Sequence, residues 1–138
     1  YAITNRALDA LGVTNGASHS EYKITDDGRI AIMEVGARMG GDFIGSDLVP
    51  LSTGYDFVKG VIEVALGEFN EPMLLDKCHS GVYFLSAETA LVAAYIKDSK
   101  RYPEIVQAER TDTELHHVTC SAERSGYFIY QATKKFEL

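Results

Sequence analysis

No run of basic residues breaks the acidic balance of this 138-residue sequence, in which 13 Lys and Arg stand against 20 Asp and Glu for a net charge of -7. That balance excludes a general affinity for nucleic acid or anionic lipid, because both require Lys and Arg to neutralise phosphates. No apolar stretch approaches the ~20 residues needed to cross a bilayer. No charged leader with an apolar middle opens the chain, whose first residues, YAITNRALDALG, carry an amphipathic helix pattern instead. The chain does not begin with Met, and the expectation is a piece of something longer. Cysteine is scarce. Cys78 and Cys120 are the two present, with no CxxC or HxxxH spacing near them. They are expected to be partly buried thiols in a reducing cytoplasm, with one disulfide as the alternative. No internal repeat or low-complexity stretch is visible.

What is present reads as an ordinary soluble protein, 46% hydrophobic and 24% charged. The length fits one domain or two small ones. Ile3, Leu8 and Leu11 form a helical stripe that Gly12 is placed to end. Ala17 to Thr25 and Arg29 to Val35 read as two strands joined by Thr25-Asp26-Asp27-Gly28, where Asp-Gly favours a type I′ hairpin. Gly36 to Gly45 carries four glycines in GARMGGDFIG and reads as a loop. A short helical turn over Ser46 to Leu51 follows. Asp56 is the predicted N-cap of a helix that Gly67 ends. Beyond Pro72 the pattern is mostly β, with strands expected at 81–87, 105–109, 115–120 and 126–132 and residues 88–95 ambiguous. The expected organisation is 1–70 and then a small β-rich segment over 71–138. Together these give an α+β fold, an antiparallel sheet with packed helices followed by that segment.

Two glutamates on one hairpin carry the chemistry. Side chains alternate faces along a strand, so parity decides which of them meet. With a two-residue loop at 27–28, Glu21 sits directly opposite Glu34; with a four-residue loop at 25–28 the two are diagonal neighbours. Only an odd loop length would separate them. Their face is expected to carry His19 and Lys23 from the first strand, with Ile30 and Ile32 from the second. Like charges at ~5–7 Å repel unless something positive lies between them. A magnesium ion holding substrate phosphates would answer that need. A solvated polar face, with Lys23 as counter-charge, is the plainer alternative. Arg38 follows Glu34 by four residues, and Gly40, Gly41 and Asp42 follow in a loop that can turn N–H groups toward an anion. Without a metal, Arg38 beside the glutamates would be a simple salt bridge. Asp42 and Asp56 read as loop and helix caps before ligands. His116 and His117 would point to opposite strand faces, so no role is assigned to them. Tyr127, Phe128 and Tyr130 read as the core and surface of a strand. Cys120 has no third partner beside His117 that would make it a nucleophile.

In order along the chain stand H-x-E (His19, Glu21), E-x-x-x-R (Glu34, Arg38), GGD (Gly40 to Asp42) and a TGxD that opens a helix ending in LGE. This ordered set, over roughly residues 8–68, resembles the C-terminal subdomain of the ATP-grasp superfamily. That superfamily includes biotin carboxylase, the carbamoyl phosphate synthetase large subunit, glycinamide ribonucleotide synthetase and the L-amino acid ligases. The resemblance implies that Glu21 and Glu34 hold Mg2+, or Mn2+, against the phosphates of ATP. It implies that Arg38 is catalytic, meeting the transferred phosphate or an acyl-phosphate. His19, Gly40 and Gly41 fall to nucleotide binding, with a structural, hydrogen-bonded histidine as the alternative for His19. The implied reaction phosphorylates a small carboxylate, which an amine or other nucleophile then attacks. The implied partners are ATP, those two substrates and the N-terminal half of the same enzyme, with a homo-oligomer left open. Two departures stand out. Gly36 occupies a place where many members carry a metal-binding Asn, although EVGAR resembles the L-amino acid ligase form. The adenine pocket, glycine-rich lid and phosphate-gripping lysines of the family have no match here, so this chain alone is expected to bind nucleotide poorly. The alternative of another class is a non-catalytic binding or assembly module that retains the hairpin.

Overall fold

The structure, a computed structural model, describes residues 1–73 and 78–138. The fold is α+β with antiparallel sheets, and contacts gather it into two compact units. The first comprises Tyr1–Ser46 and Asp56–Pro72; the second comprises Asp47–Tyr55 and Met73–Leu138.

In the first unit, helix α1 (Ala2–Ala10) gives way at Gly12, and strands β1 (His19–Ile24) and β2 (Ile30–Gly36) pair antiparallel. The turn between them differs from both expected lengths, two and four residues. Thr25 N–H donates to Arg29 O at 2.9 Å and Gly28 N–H to Thr25 O at 2.8 Å, which leaves the three residues 26–28 as the loop. Gly28 holds a φ of +80° there, the left-handed step that follows a type I turn in hairpins of this length. Asp27 fixes the choice. Its carboxylate accepts from the Arg29 Nε at 2.7 Å and from the Thr25 hydroxyl, whose hydrogen bond is the largest reason its pKa lies below the ordinary carboxylate value.

An odd loop would have put Glu21 and Glu34 on opposite faces, but a β-bulge reverses the parity. Ile24 pairs with Ile30 and Tyr22 with Ile32, and then the register shifts so that Glu21 meets Glu34 and His19 meets Gly36. Met33 is the extra residue. Ile30 and Ile32 therefore share a face with Tyr22 and Ile24, not with the glutamates as the simple alternation predicted. Tyr22 donates its hydroxyl to Thr4 Oγ1 on α1 at 2.7 Å, so this is the face that meets the helix.

Past β2 the chain turns through Asp42 and Phe43, both at positive φ (51° and 65°), into a π-helical turn at Ile44–Leu48. The predicted loop thus ends at 43, and the helical turn starts earlier than the sequence indicated. Helix α2 (Val49–Thr53) continues it. Helix α3 (Phe57–Leu66) has the expected ends: Asp56 accepts from Lys59 N–H at 2.9 Å, and Gly67 closes it at a φ of +74°.

The second unit is a three-stranded sheet of β3 (His79–Leu85), β4 (Ile105–Arg110) and β5 (Gly126–Ala132), with β5 in the middle and antiparallel to both neighbours. Helix α4 (Val92–Lys97) covers it. Phe128 is fully buried among Tyr83, Tyr95 and Phe136, with ring centroids at 5.2, 5.7 and 5.8 Å. The strand expected at 115–120 does not form. There Asp112 accepts from Glu114 N–H, and Glu123 accepts from the N–H groups of Thr119 and Cys120. These local side-chain bonds replace the ladder a strand would have needed. Cys78 and Cys120 are both free, and Cys120 is exposed where partial burial was expected.

Candidate functional site

The bulge at Met33 brings the two glutamates together, paired across β1 and β2. Directly opposed like charges destabilise a sheet, and each carboxylate here has its own positive or donor partner. Arg38 Nη2 donates to Glu34 Oε1 at 3.0 Å, and His19 Nε2 lies 3.0 Å from Glu21 Oε1. Both glutamates are at least half exposed, so the open side of the pair faces solvent. An exposed i,i+4 ion pair such as Arg38–Glu34 is worth only about 0.3–0.5 kcal/mol. Arg38 is thus held lightly and can leave Glu34 for a competing anion.

Arg38 is anchored from behind, its Nη1 donating to Met39 O at 3.0 Å. Gly36 lies against it: a Cβ there would stand 3.6 Å from Arg38 Cγ and 3.8 Å from Glu34 Oε1, ordinary contact distances, so a small side chain would fit beside the pair. Gly40 and Gly41 differ. A Cβ on Gly40 would come within 2.8 Å of the His19 ring, whereas one on Gly41 would meet nothing within 4 Å. Gly41 is therefore not required by packing. Asp42 and Phe43, non-glycine residues held left-handed, follow directly, and such backbone strain gathers at functional loops.

Among the described residues, no three His, Cys, Asp or Glu side chains come together as a metal cage. That donor set still fits magnesium, which is held by one or two carboxylates together with substrate phosphates and water instead of an all-protein cage. Two opposed carboxylates with solvent in front of them are such a set.

The sequence reading missed one polar cluster, in the second unit. His117 Nδ1 lies 2.6 Å from Glu88 Oε1, and Ser86 Oγ donates to Glu88 Oε2 at 2.8 Å. The Ser86 hydroxyl first and His117 second hold the Glu88 pKa down to about 2. Nearby, His116 is raised by its bond to Asp112. No sequence spacing announces a contact between residues 88 and 117, because it depends on how the 111–125 segment folds back.

A scan against protein-family models finds no match, and no curated protein matches significantly. Solved structures do match. An L-amino acid ligase from Bacillus licheniformis superposes with a TM-score of 0.71 and 22% identity over 93% of this chain and 35% of its own length. A phosphoribosylglycinamide synthetase from Anaerococcus prevotii superposes with a TM-score of 0.62 and 17% identity over 96% of this chain and 36% of its own. The chain thus spans about a third of the length of the enzymes it matches, and it shares the fold of that part of each.

Proposed function

We propose that this chain supplies the magnesium–phosphate wall of an ATP-dependent ligase that joins a small carboxylic acid to an amine or another nucleophile. The observation that carries the reading is the register pair Glu21–Glu34 with Arg38 on Glu34, set in a fold shared with two ligases. When bound, Mg2+ (or Mn2+) would neutralise the phosphate oxygens of ATP and so favour transfer of the γ-phosphoryl group to the carboxylate. The chain's own residues do the rest by position and charge. Glu21 and Glu34 would hold the metal. Arg38, released from Glu34, offers its planar fork to the phosphoryl group or the resulting acyl-phosphate. The open backbone at Gly41 gives that group room to approach. In this reading residues 1–70 belong to the ATP-binding domain and 71–138 form a small companion subdomain. The adenine-binding parts come from the remainder of a longer enzyme, so this chain alone binds Mg-ATP weakly in a calorimetric titration.

In the complete enzyme, Glu34→Gln is expected to abolish Mg2+-dependent ATP hydrolysis. Hydrolysis at the unaltered rate in that variant contradicts the metal role. It would favour the second reading, a non-catalytic assembly module, for which the Arg38–Glu34 ion pair is simply a surface bridge.

A further inference from the structure

Glu21 is 58% exposed, and a glutamate so placed samples many rotamers unless something holds its carboxylate. His19 precedes it on the same strand face. Its ring is only 18% exposed, and Nε2 points at Glu21 Oε1 from 3.0 Å. An ionised carboxylate can only accept, so Nε2 carries the proton of this bond.

The Nδ1–Cε1 edge of the ring lies under the glycine loop. A Cβ at Gly40 would stand 2.8 Å from His19 Nδ1, 3.3 Å from Cε1 and 3.1 Å from Ile44 Cδ1. Gly40 is not among the residues with positive φ. What this position demands is therefore the absence of a side chain, not backbone freedom. Nor does His19 complete a metal cage, since no three such side chains assemble among the described residues. Its donor is spent on the carboxylate.

We infer that His19 is a positioning residue: seated beneath Gly40, it donates from Nε2 to Glu21 and fixes that carboxylate in place opposite Glu34. Gly40 serves the ring and does not itself touch the nucleotide. This rests on the reading of Glu21 as a metal ligand. The arrangement is an outer-shell donor aiming an oxygen ligand, and loss of such a partner typically weakens metal binding by about 10–100-fold.

The test uses the 138-residue chain. Nitrogen-15 spectra of its histidines are expected to show His19 as the Nε2–H tautomer before any metal is added; an Nδ1–H tautomer overturns the inference. Mn2+ binding, followed by water-proton relaxation, is then compared across variants. His19→Ala and Gly40→Ala should each weaken it by about tenfold or more. His19→Gln, whose amide N–H can still reach Glu21, should stay near the unaltered value. Equal binding by His19→Ala, or loss in His19→Gln as large as in His19→Ala, contradicts the positioning role. A Glu21→Gln variant that binds Mn2+ like the parent overturns the metal reading itself and takes the inference with it. That outcome differs from Glu21→Gln losing affinity while His19→Ala does not.

Discussion

The two units of this chain are built on different principles. Every large apolar side chain that is buried among the described residues (Leu85, Val92, Tyr127, Phe128, Ile129 and Tyr130) belongs to the second unit. In the first unit the buried residues are the glycines Gly45 and Gly60, while Ile24, Ile30, Ile32, Met33, Ile62 and Leu66 are exposed. The second unit is thus organised around an aromatic core. The first relies on hydrogen-bonded hardware: the Asp27 turn, the bulge, the Asp56 cap and the α1–Tyr22 contact. The candidate chemistry sits in the unit that buries no large apolar side chain. Its geometry is set by register and local bonds, with close packing where the glycines Gly40 and Gly45 lie against His19, Ile44, Met39 and Phe57.

That contrast can be broken by truncation. Phe128→Ala should cost about 3–5 kcal/mol, since it empties the centre of the aromatic cluster. Urea denaturation followed by the near-ultraviolet signal of the tyrosines measures it. A loss below about 1 kcal/mol would mean that the second unit does not depend on its core as described.

Acid and base are expected to act in opposite senses on two contacts of the second unit. The Glu88 pKa in the folded chain, about 2, lies below its ordinary value of 4.5, so its contribution to stability is complete above 4.5 and is lost as pH falls toward 2. His116 runs the other way: its pKa is raised, so its contribution is complete below its ordinary 6.5 and fades as pH rises through the folded value. Protection of the amides across 111–120, taken relative to their intrinsic exchange rate at each pH, should fall as pH drops from 4.5 toward 2, and Glu88→Gln should flatten that dependence. An unchanged profile in Glu88→Gln would place the acid sensitivity elsewhere.

The smallest effect is expected at Ile62. The side chain is 55% exposed on α3, and Ile62→Ala should change stability by no more than about 0.5 kcal/mol in the same urea titration. A core-sized loss there would erase the contrast between the units.

Much of this was legible in the sequence, for identifiable reasons. Asp56 and Gly67 bound α3 as predicted, because capping is local chemistry. The strands at 81–87, 105–109 and 126–132 announced themselves through aromatic and β-branched content, and each formed to within about two residues. The hairpin was legible as an element, while its register was not. The turn took three residues instead of two or four, and the bulge at Met33 compensated. Two deviations from simple alternation thus cancelled for Glu21 and Glu34 but not for Ile30 and Ile32. The 115–120 segment looked like a strand, yet Asp112 and Glu123 captured its amides, a competition that residue type alone does not decide.

The measurement that tests the central claim most directly maps where a paramagnetic ion settles. Both units carry carboxylates, and the chain has a net charge of -7, so charge alone would scatter Mn2+ over the surface. With Mn2+ and ATP added to the isotope-labelled chain, the account predicts selective broadening of the amides around Glu21, Glu34 and Arg38, abolished by Glu21→Gln with Glu34→Gln. Broadening centred instead on Glu88, Asp112 and Glu123, or unaffected by that double substitution, would contradict it.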